Sequence, residues 1–413
     1  MSEIEDEHYL SIAWAGVNTV LMPRKAAKKS KAASNSKPLL VRASPLKPQK
    51  PSKFLKYIPK FQALRDYYGF WHMIKDRHSG EDNEKHIDLD FIPGGDLDHF
   101  FFISNDPKDK FPVDGYDQGQ KLIILYGVAR LLEFMHTNLN IVHGDISPYT
   151  IFLDHQLKPI IAPIRVTYKY SRAGGNGIPR IDFVAPEIFN GDFDIDKNAT
   201  EKSDVYMFGM TILAVAKHGY PYDIGTKKSS IGDKIKNGEL PDLAEIIAEN
   251  PQLKNSPLLA VYEKCVKSNP EERATMTEVC EELKKIGSKI AKFNDYVKYL
   301  NSKIGKKVEG KGFGGENLLG SIENLETAAK KKIPFALETL GEMLSEGEII
   351  KKDEKRGEAM LNELDEMQDT KEEEEDDVPE EEDDDDDEGD DDIGDDDDDD
   401  EEEDIDDEEE EDD

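Results

Sequence analysis

The segment Ile141–Asp154 reads IVHGDISPYTIFLD. It sets His143, Gly144 and Asp145 in succession ahead of a short apolar run, Ile151–Leu153, that reads as a strand. Asp145 is a carboxylate, Ser147 carries no charge, and Thr150 offers a hydroxyl. Just upstream, residues 116–136 end in KLIILYGVARLLEFMH, whose apolar positions recur at helical spacing, so a core helix is expected to lead into the segment. Downstream come VAPE at Val184–Glu187, the apolar run KSDVYMFGMTIL at Lys202–Leu213, and NPEERATMTEV at Asn269–Val279. Between Pro221 and Ser288, Gly238, Pro241, Pro251, Pro257 and Pro270 break the sequence into short helices.

These four phrases, in this order and at these spacings, resemble the eukaryotic protein kinase family. SDVYMFG, and YYGFW at Tyr67–Trp71, resemble most its tyrosine-kinase-like (TKL) branch. The family's catalytic loop is H-R-D-L-K-P-x-N. His143, Asp145 and Pro148 match it, whereas Gly144, Ser147 and Thr150 stand where the family has Arg, Lys and Asn. The resemblance implies an α+β, two-lobed fold with a mainly helical C-lobe, and makes Asp145 the base of phosphoryl transfer if the protein is active. It further implies structural roles for four residues: His143 in the loop, Asp204 hydrogen-bonding the loop backbone, and Arg273 ion-paired to Glu187 of the A-P-E motif. The metal chemistry is where the match fails. Pro163-Ile164-Arg165 occupies the place of the Mg²⁺-binding D-F-G triplet, and no carboxylate lies between Asp154 and Asp182. No metal site is therefore expected, and losses of such electrostatic groups cost ~10²–10³ in rate each. Thr167, Tyr168, Tyr170 and Ser171 are the phospho-acceptors of the segment Pro163–Glu187, but with Gly144 in the Arg place the usual clamp for an activating phosphate is missing.

HIDLDFIPGGDLDHFF at His86–Phe101, with Tyr67–Trp71 before it, is similar to the two strands and hinge that end a kinase N-lobe. That alignment implies Leu89 as gatekeeper, with Asp90 and Ile92 as hinge residues whose backbone would meet adenine. A strand and turn that merely close a small sheet is the other reading. Farther upstream the pattern thins. Ala13–Val20, AWAGVNTV, is the best fit to a Gly-rich phosphate loop, but Ala, Ala and Asn fill its glycine places, where β-carbons would crowd the phosphate. Arg42 in LLVRA could stand in the strand-Lys place, with no Glu nearby to pair with it. From His8 to Arg65 there is no carboxylate, and RKAAKKSK is a basic run that could be a nuclear localisation signal, a polyanion contact or a solvated stretch. Residues 1–56 thus read as a reduced, degenerate N-lobe or as a basic segment with little regular structure.

After the kinase-like domain at 57–288, residues 289–318 read as a Lys-rich helical linker ending in flexible glycines. Within 319–366, Ala336, Leu340, Gly341, Gly347, Ile350 and Asp353 match the pattern A-x3-L-G-x5-G-x2-V-x2-D of a Sel-one-like repeat, an αα-hairpin whose first helix Gly347 would end. A single repeat cannot bury its own faces, so it is expected either to dock on the kinase-like lobe or to be a marginal remnant. Residues 367–413 read as a disordered acidic tail. The formal net charge of the 413 residues is −38, and from Lys371 onward 36 acids face one Lys, leaving the rest near balance at −3. Such a run has too little apolar surface to offset chain entropy; it repels phosphates and invites basic proteins such as histones. Cys265 and Cys280, the two cysteines, are too few for a disulfide framework or a zinc site, which fits a reducing compartment. No apolar run approaches the ~20 residues of a membrane span.

The reading that follows is a pseudokinase acting as a signalling scaffold. It would bind other proteins through its C-lobe, repeat and acidic tail, with no membrane and no nucleic-acid partner, in the cytoplasm or else the nucleus. Its oligomeric state is open. No resident cofactor is expected, although ATP could be held without normal Mg²⁺ coordination. The alternatives are a weak ATP-dependent kinase acting on Ser, Thr or Tyr hydroxyls through Asp145, and an acidic-tail binder of basic proteins.

Overall fold

A computed structural model describes residues 9–13, 18–23, 40–43, 64, 67–70, 73–79, 84–102, 113–162, 181–189, 198–222, 228–306, 321–347 and 350–375. Strands β1 (Tyr9–Ala13), β2 (Asn18–Pro23), β3 (Leu40–Ala43), β4 (Met73–Ser79) and β5 (Glu84–Asp90) form one antiparallel sheet in the order β1-β2-β3-β5-β4. Register pairs Val20 with Val41 and Val41 with Leu89, and a bulge falls between Met73 and Lys75. Of the two readings offered for residues 1–56, the described residues form short strands rather than a segment without regular structure. The basic stretch contains three short apolar runs, and each finds in a neighbouring strand the partners its backbone amides and carbonyls need. Residues 14–17 of the AWAGVNTV stretch and the RKAAKKSK run are outside the described residues.

Tyr67–Trp71 was expected to begin a strand, and the structure differs. Tyr67–Phe70 is a turn, Trp71 is outside the described residues, and β4 starts at Met73. Gly69 holds φ +88, and a β-carbon there would lie 2.5 Å from the Leu131 side chain, so the chain turns where only glycine fits.

Beyond β5 lie α1 (Leu97–Phe102), α2 (Gln118–Phe134), the hairpin of β6 (Ile151–Leu153) with β7 (Pro159–Ile161), and α3 (Glu201–Lys217). Then come α4 (Lys228–Lys236), α5 (Leu243–Glu249), α6 (Pro257–Cys265) and α7 (Met276–Gly287). Asp117 caps α2 by accepting the Gln120 amide at 2.9 Å, and Thr200 with Ser203 forms a capping box at the start of α3. Both helices are apolar nearly all round because both are buried. Gln118–Leu139 is long and apolar enough to cross a membrane, an outcome the reading of the sequence did not foresee. Two-thirds (67%) of its most apolar 18 residues is buried inside the domain, as befits a core helix.

The described part of the linker after Ser288 is mainly helix. In α8 (Ala291–Lys303), Phe293, Tyr296, Val297 and Leu300 are buried and α8 packs along α2. They recur at helical spacing on one face, a stripe that the abundant lysines of this stretch obscure. Three helices follow: α9 (Ile322–Lys330), α10 (Pro334–Glu346) and α11 (Glu354–Glu375). Gly347, at φ +74, ends α10 with its N–H on Met343 O at 3.1 Å, as expected. A β-carbon on Gly357 of α11 would come 2.6 Å from Gly341 O of α10, so paired glycines let the two helices touch. α10 packs on α1, and in the turn before it Lys331 O accepts the Asp114 amide at 3.0 Å. The acidic tail was placed from residue 367, yet α11 continues to Glu375. Leu364 and Met367 anchor its middle turns in the core and good helix formers propagate it. Residues 376–413 are outside the described residues.

If α8 is part of the core, Phe293→Ala should cost ~3–5 kcal/mol in chemical denaturation, as for a buried aromatic. A loose linker would lose less than ~0.5 kcal/mol.

Candidate active site

The loop Ile141–Thr150 leaves α2 through a π-turn, Met135–Leu139, and re-enters regular structure at β6. Its backbone is fixed by one carboxylate. Asp204, near the start of α3 and fully buried, accepts the Gly144 amide on Oδ1 at 2.6 Å and the His143 amide on Oδ2 at 2.8 Å. The Nε2–H of buried His136 donates to Oδ2 at 2.8 Å. Three donors on one desolvated carboxylate replace the water it has lost. The role expected of Asp204 is thus in place, and His136, which the reading of the sequence passed over, completes it. The signal was available: His136 is the last residue of the helical phrase, one loop before His143.

His143 is oriented by two further bonds. Its Nε2–H donates to Ala162 O at 2.9 Å, while Nδ1 accepts the Asp145 amide at 3.2 Å, which fits the neutral imidazole with its proton on Nε2. Gly144 sits at φ +76, where a side chain would be strained. The missing Arg therefore coincides with a backbone conformation that glycine adopts without cost. Asp145 is 9% exposed at the turn of the loop.

Ser147 and Thr150, the replacements for Lys and Asn, turn inward. Thr150 is 1% exposed, and its hydroxyl donates to Asp145 O at 2.7 Å while accepting the Ser147 amide at 3.1 Å. Its oxygen is engaged on both sides within the loop and braces it. Ala162 N donates to Thr150 O at 2.7 Å, tying the strand that leads to Pro163 against the same loop. Pro163, Ile164 and Arg165, with the acceptors Thr167, Tyr168, Tyr170 and Ser171, are outside the described residues. No group of three or more His, Cys, Asp and Glu side chains suited to a metal occurs among the described residues.

At the other wall of the cleft, β5 ends at Asp90 and the chain crosses between the lobes at Phe91–Gly95. Leu89 pairs with Val41 of β3 and Met73 of β4, and Arg42 pairs with Asp88 of β5, so Arg42 lies beside the hinge strand. Ile92 is buried, and its carbonyl accepts the Gly95 amide at 3.2 Å. Arg42, Leu89 and Asp90 thus lie on the paired strands β3 and β5, and Ile92 follows in the crossing.

The second anchor is the ion pair of Glu187 with Arg273. Arg273 Nη1 and Nη2 meet Glu187 Oε1 and Oε2 at 2.6 and 2.8 Å. Ser203 Oγ donates to Oε1 at 2.8 Å, and Arg273 reaches the Lys202 and Lys267 carbonyls at 2.9 and 2.7 Å. Burial alone would raise the Glu187 carboxyl, but the Arg273 bonds and charge outweigh it and hold it below the usual value. Its contribution is therefore present above pH 4.5, the ordinary value, and is lost as pH falls through the depressed one. Arg273→Ala should cost ~3–5 kcal/mol at neutral pH because it strands a buried carboxylate. Glu187→Gln should show a deficit at pH 7 that shrinks below pH 4.5 in denaturation curves taken across pH.

Comparison with known proteins agrees with this geometry. The family described as protein tyrosine and serine/threonine kinase matches residues 74–283, just over half of the chain. Cysteine-rich receptor-like protein kinase 21 of Arabidopsis thaliana is 28% identical over 227 residues, 49% of this chain and 30% of its own length. Rust resistance kinase Lr10 of Triticum aestivum is 28% identical over 207 residues, 46% of this chain and 31% of its own. Leucine-rich repeat receptor protein kinase EMS1 of Arabidopsis thaliana is 27% identical over 218 residues, 49% of this chain and 17% of its own. The chain spans less than a third of each of these relatives. With the loop, the A-P-E ion pair and the hinge in their places, the chain belongs to the protein tyrosine and serine/threonine kinase family.

Proposed function

We propose that this protein is a pseudokinase of the tyrosine-kinase-like branch that serves as a signalling scaffold. The observation that carries this reading is the engagement of Thr150 inside its own loop, with the hydroxyl bonded to Asp145 O and to the Ser147 amide. The absence of a carboxylate between Asp154 and Asp182 supports it, as do Ser147 and Gly144 in the Lys and Arg places. The buried bonds of Asp204 and Glu187 keep a rigid C-lobe available to partners while asking nothing of metal chemistry. A basic protein partner is favoured by the acidic run from Lys371 and by the carboxylates of Glu338, Glu342 and Glu346 along one face of α10. Burial, with the neighbouring Glu338 and Glu346, pushes the Glu342 carboxyl up to about 7. The hairpin α10–α11 is read as a Sel-one-like repeat, and the protein as cytoplasmic. The competing reading is a weakly active kinase using Asp145, supported by the kinase names of the relatives and by a hinge whose backbone could meet adenine.

Thermal melting with ATP, in Mg²⁺ and in EDTA, separates the two, because a ligand of the native state must raise the melting point. A scaffold without phosphotransfer shows no shift that depends on Mg²⁺, and Asp145→Asn leaves phosphate incorporation into a generic protein substrate at background. A Mg²⁺-dependent shift, with incorporation that Asp145→Asn abolishes, would make the protein an enzyme. Binding to basic proteins through the tail predicts that histone capture is lost on removing residues 376–413 and weakens as salt rises.

A further inference from the structure

Phe335, in the first turn of α10, is 2% exposed, and what covers it is the hinge. Its ring centroid lies 5.6 Å from that of Phe91, the first residue after β5. Its Cγ and Cβ stand 2.8 and 2.9 Å from where a β-carbon on Gly95 would be. Gly95 has φ +65, so both its conformation and its neighbour demand glycine. The opposite side of the crossing is tied as well: Gly94 N donates to Leu153 O of β6 at 2.9 Å, and Leu153 N to Gly95 O at 2.9 Å. The crossing between the lobes is held between β6 and an aromatic ring supplied by the C-terminal hairpin.

We propose that the outer face of the hinge is an interaction surface whose occupant is this chain's own hairpin, α10–α11, and that Phe335 clamps the hinge in one conformation. Lobe movement about a hinge is absorbed by φ/ψ changes at a few residues. Here those residues cannot rotate without emptying the seat of Phe335. The coupling runs both ways: a partner that takes the Phe335 face of the hairpin must release the hinge, and a hinge that opens must loosen the hairpin. The Asp114 amide, donated to Lys331 O in the turn that leads into α10, is a second tie between the C-terminal helices and the rest of the domain and reports whether they stay docked.

Hydrogen exchange read by mass spectrometry or NMR on the full chain tests this, comparing wild type with Phe335→Ala. The expected result is exchange at least ~10-fold faster over Phe91–Leu97 and at Asp114, with Glu201–Lys217 unchanged, the signature of a local opening. Unchanged exchange at the hinge would overturn the proposal. So would equal acceleration at the hinge and over Glu201–Lys217, which would make Phe335 ordinary packing in one cooperative unit. Should Phe335→Ala fail to fold, Phe335→Leu is read by the same two outcomes.

Discussion

The structure turns on a fully buried carboxylate. Asp204 has given up all its water, and three N–H groups, from Gly144, His143 and His136, take its place. Hydrogen bonds to an ionised group are worth roughly 1.5–3 kcal/mol each, and each leaves a larger penalty when broken in a dry site. This one interaction joins the end of α2, the loop and the start of α3, three segments far apart in sequence. The positive φ of Gly144 and the set of the His143 ring are held in place by it. From that ring a further bond reaches Ala162, so the entry to the segment after β7 is positioned by the same chain of contacts.

Scaffold and chemistry are separable in this loop because they use different atoms. Asp204 holds backbone amides, which any residue supplies, so replacing Arg by glycine at 144 costs the fold nothing. Thr150 braces the loop with a hydroxyl whose partners among the described residues belong to the loop itself. The Glu187–Arg273 pair follows the same rule: a bidentate charge pair, with Ser203 and two carbonyls completing its partners, fixes the helices without reference to a phosphate. The shape therefore rests on bonds that involve no phosphate or metal, whereas losing Asp204 or Arg273 would strand buried charge or unpaired amides.

What could be read from the sequence follows from this division. His143, Asp204, Glu187 and Arg273 were legible because each belongs to a short phrase in a fixed order, and Gly347 because a helix end at positive φ asks for glycine. The sheet was hard to see, since β1, β2 and β3 are four to six residues each within a basic stretch, and pairing between strands decides them. In α8 the lysines masked Phe293, Tyr296, Val297 and Leu300, although the spacing was there to be found. The helical extent of α11 depends on anchoring at Leu364 and Met367, a tertiary fact. No local pattern could announce Phe335, which reaches a hinge some 240 residues earlier in the chain.

The docked hairpin resolves a physical difficulty posed by its own sequence. One αα-repeat exposes apolar faces that a stack of repeats would normally cover. Here α11 covers one side of α10 through the Gly341–Gly357 approach, and the hinge with α1 covers another. Leu240, far from the hairpin in sequence, is the large exposed hydrophobic among the described residues. The kinase-like lobe thus supplies apolar surface against which α10 is buried, beside α9 and α11. The hairpin is stable because it is docked, and the hinge is covered on its outer face because the hairpin needs that surface. Two modules that look independent in sequence are in this way bound to a shared interface, and neither can change its exposure without the other.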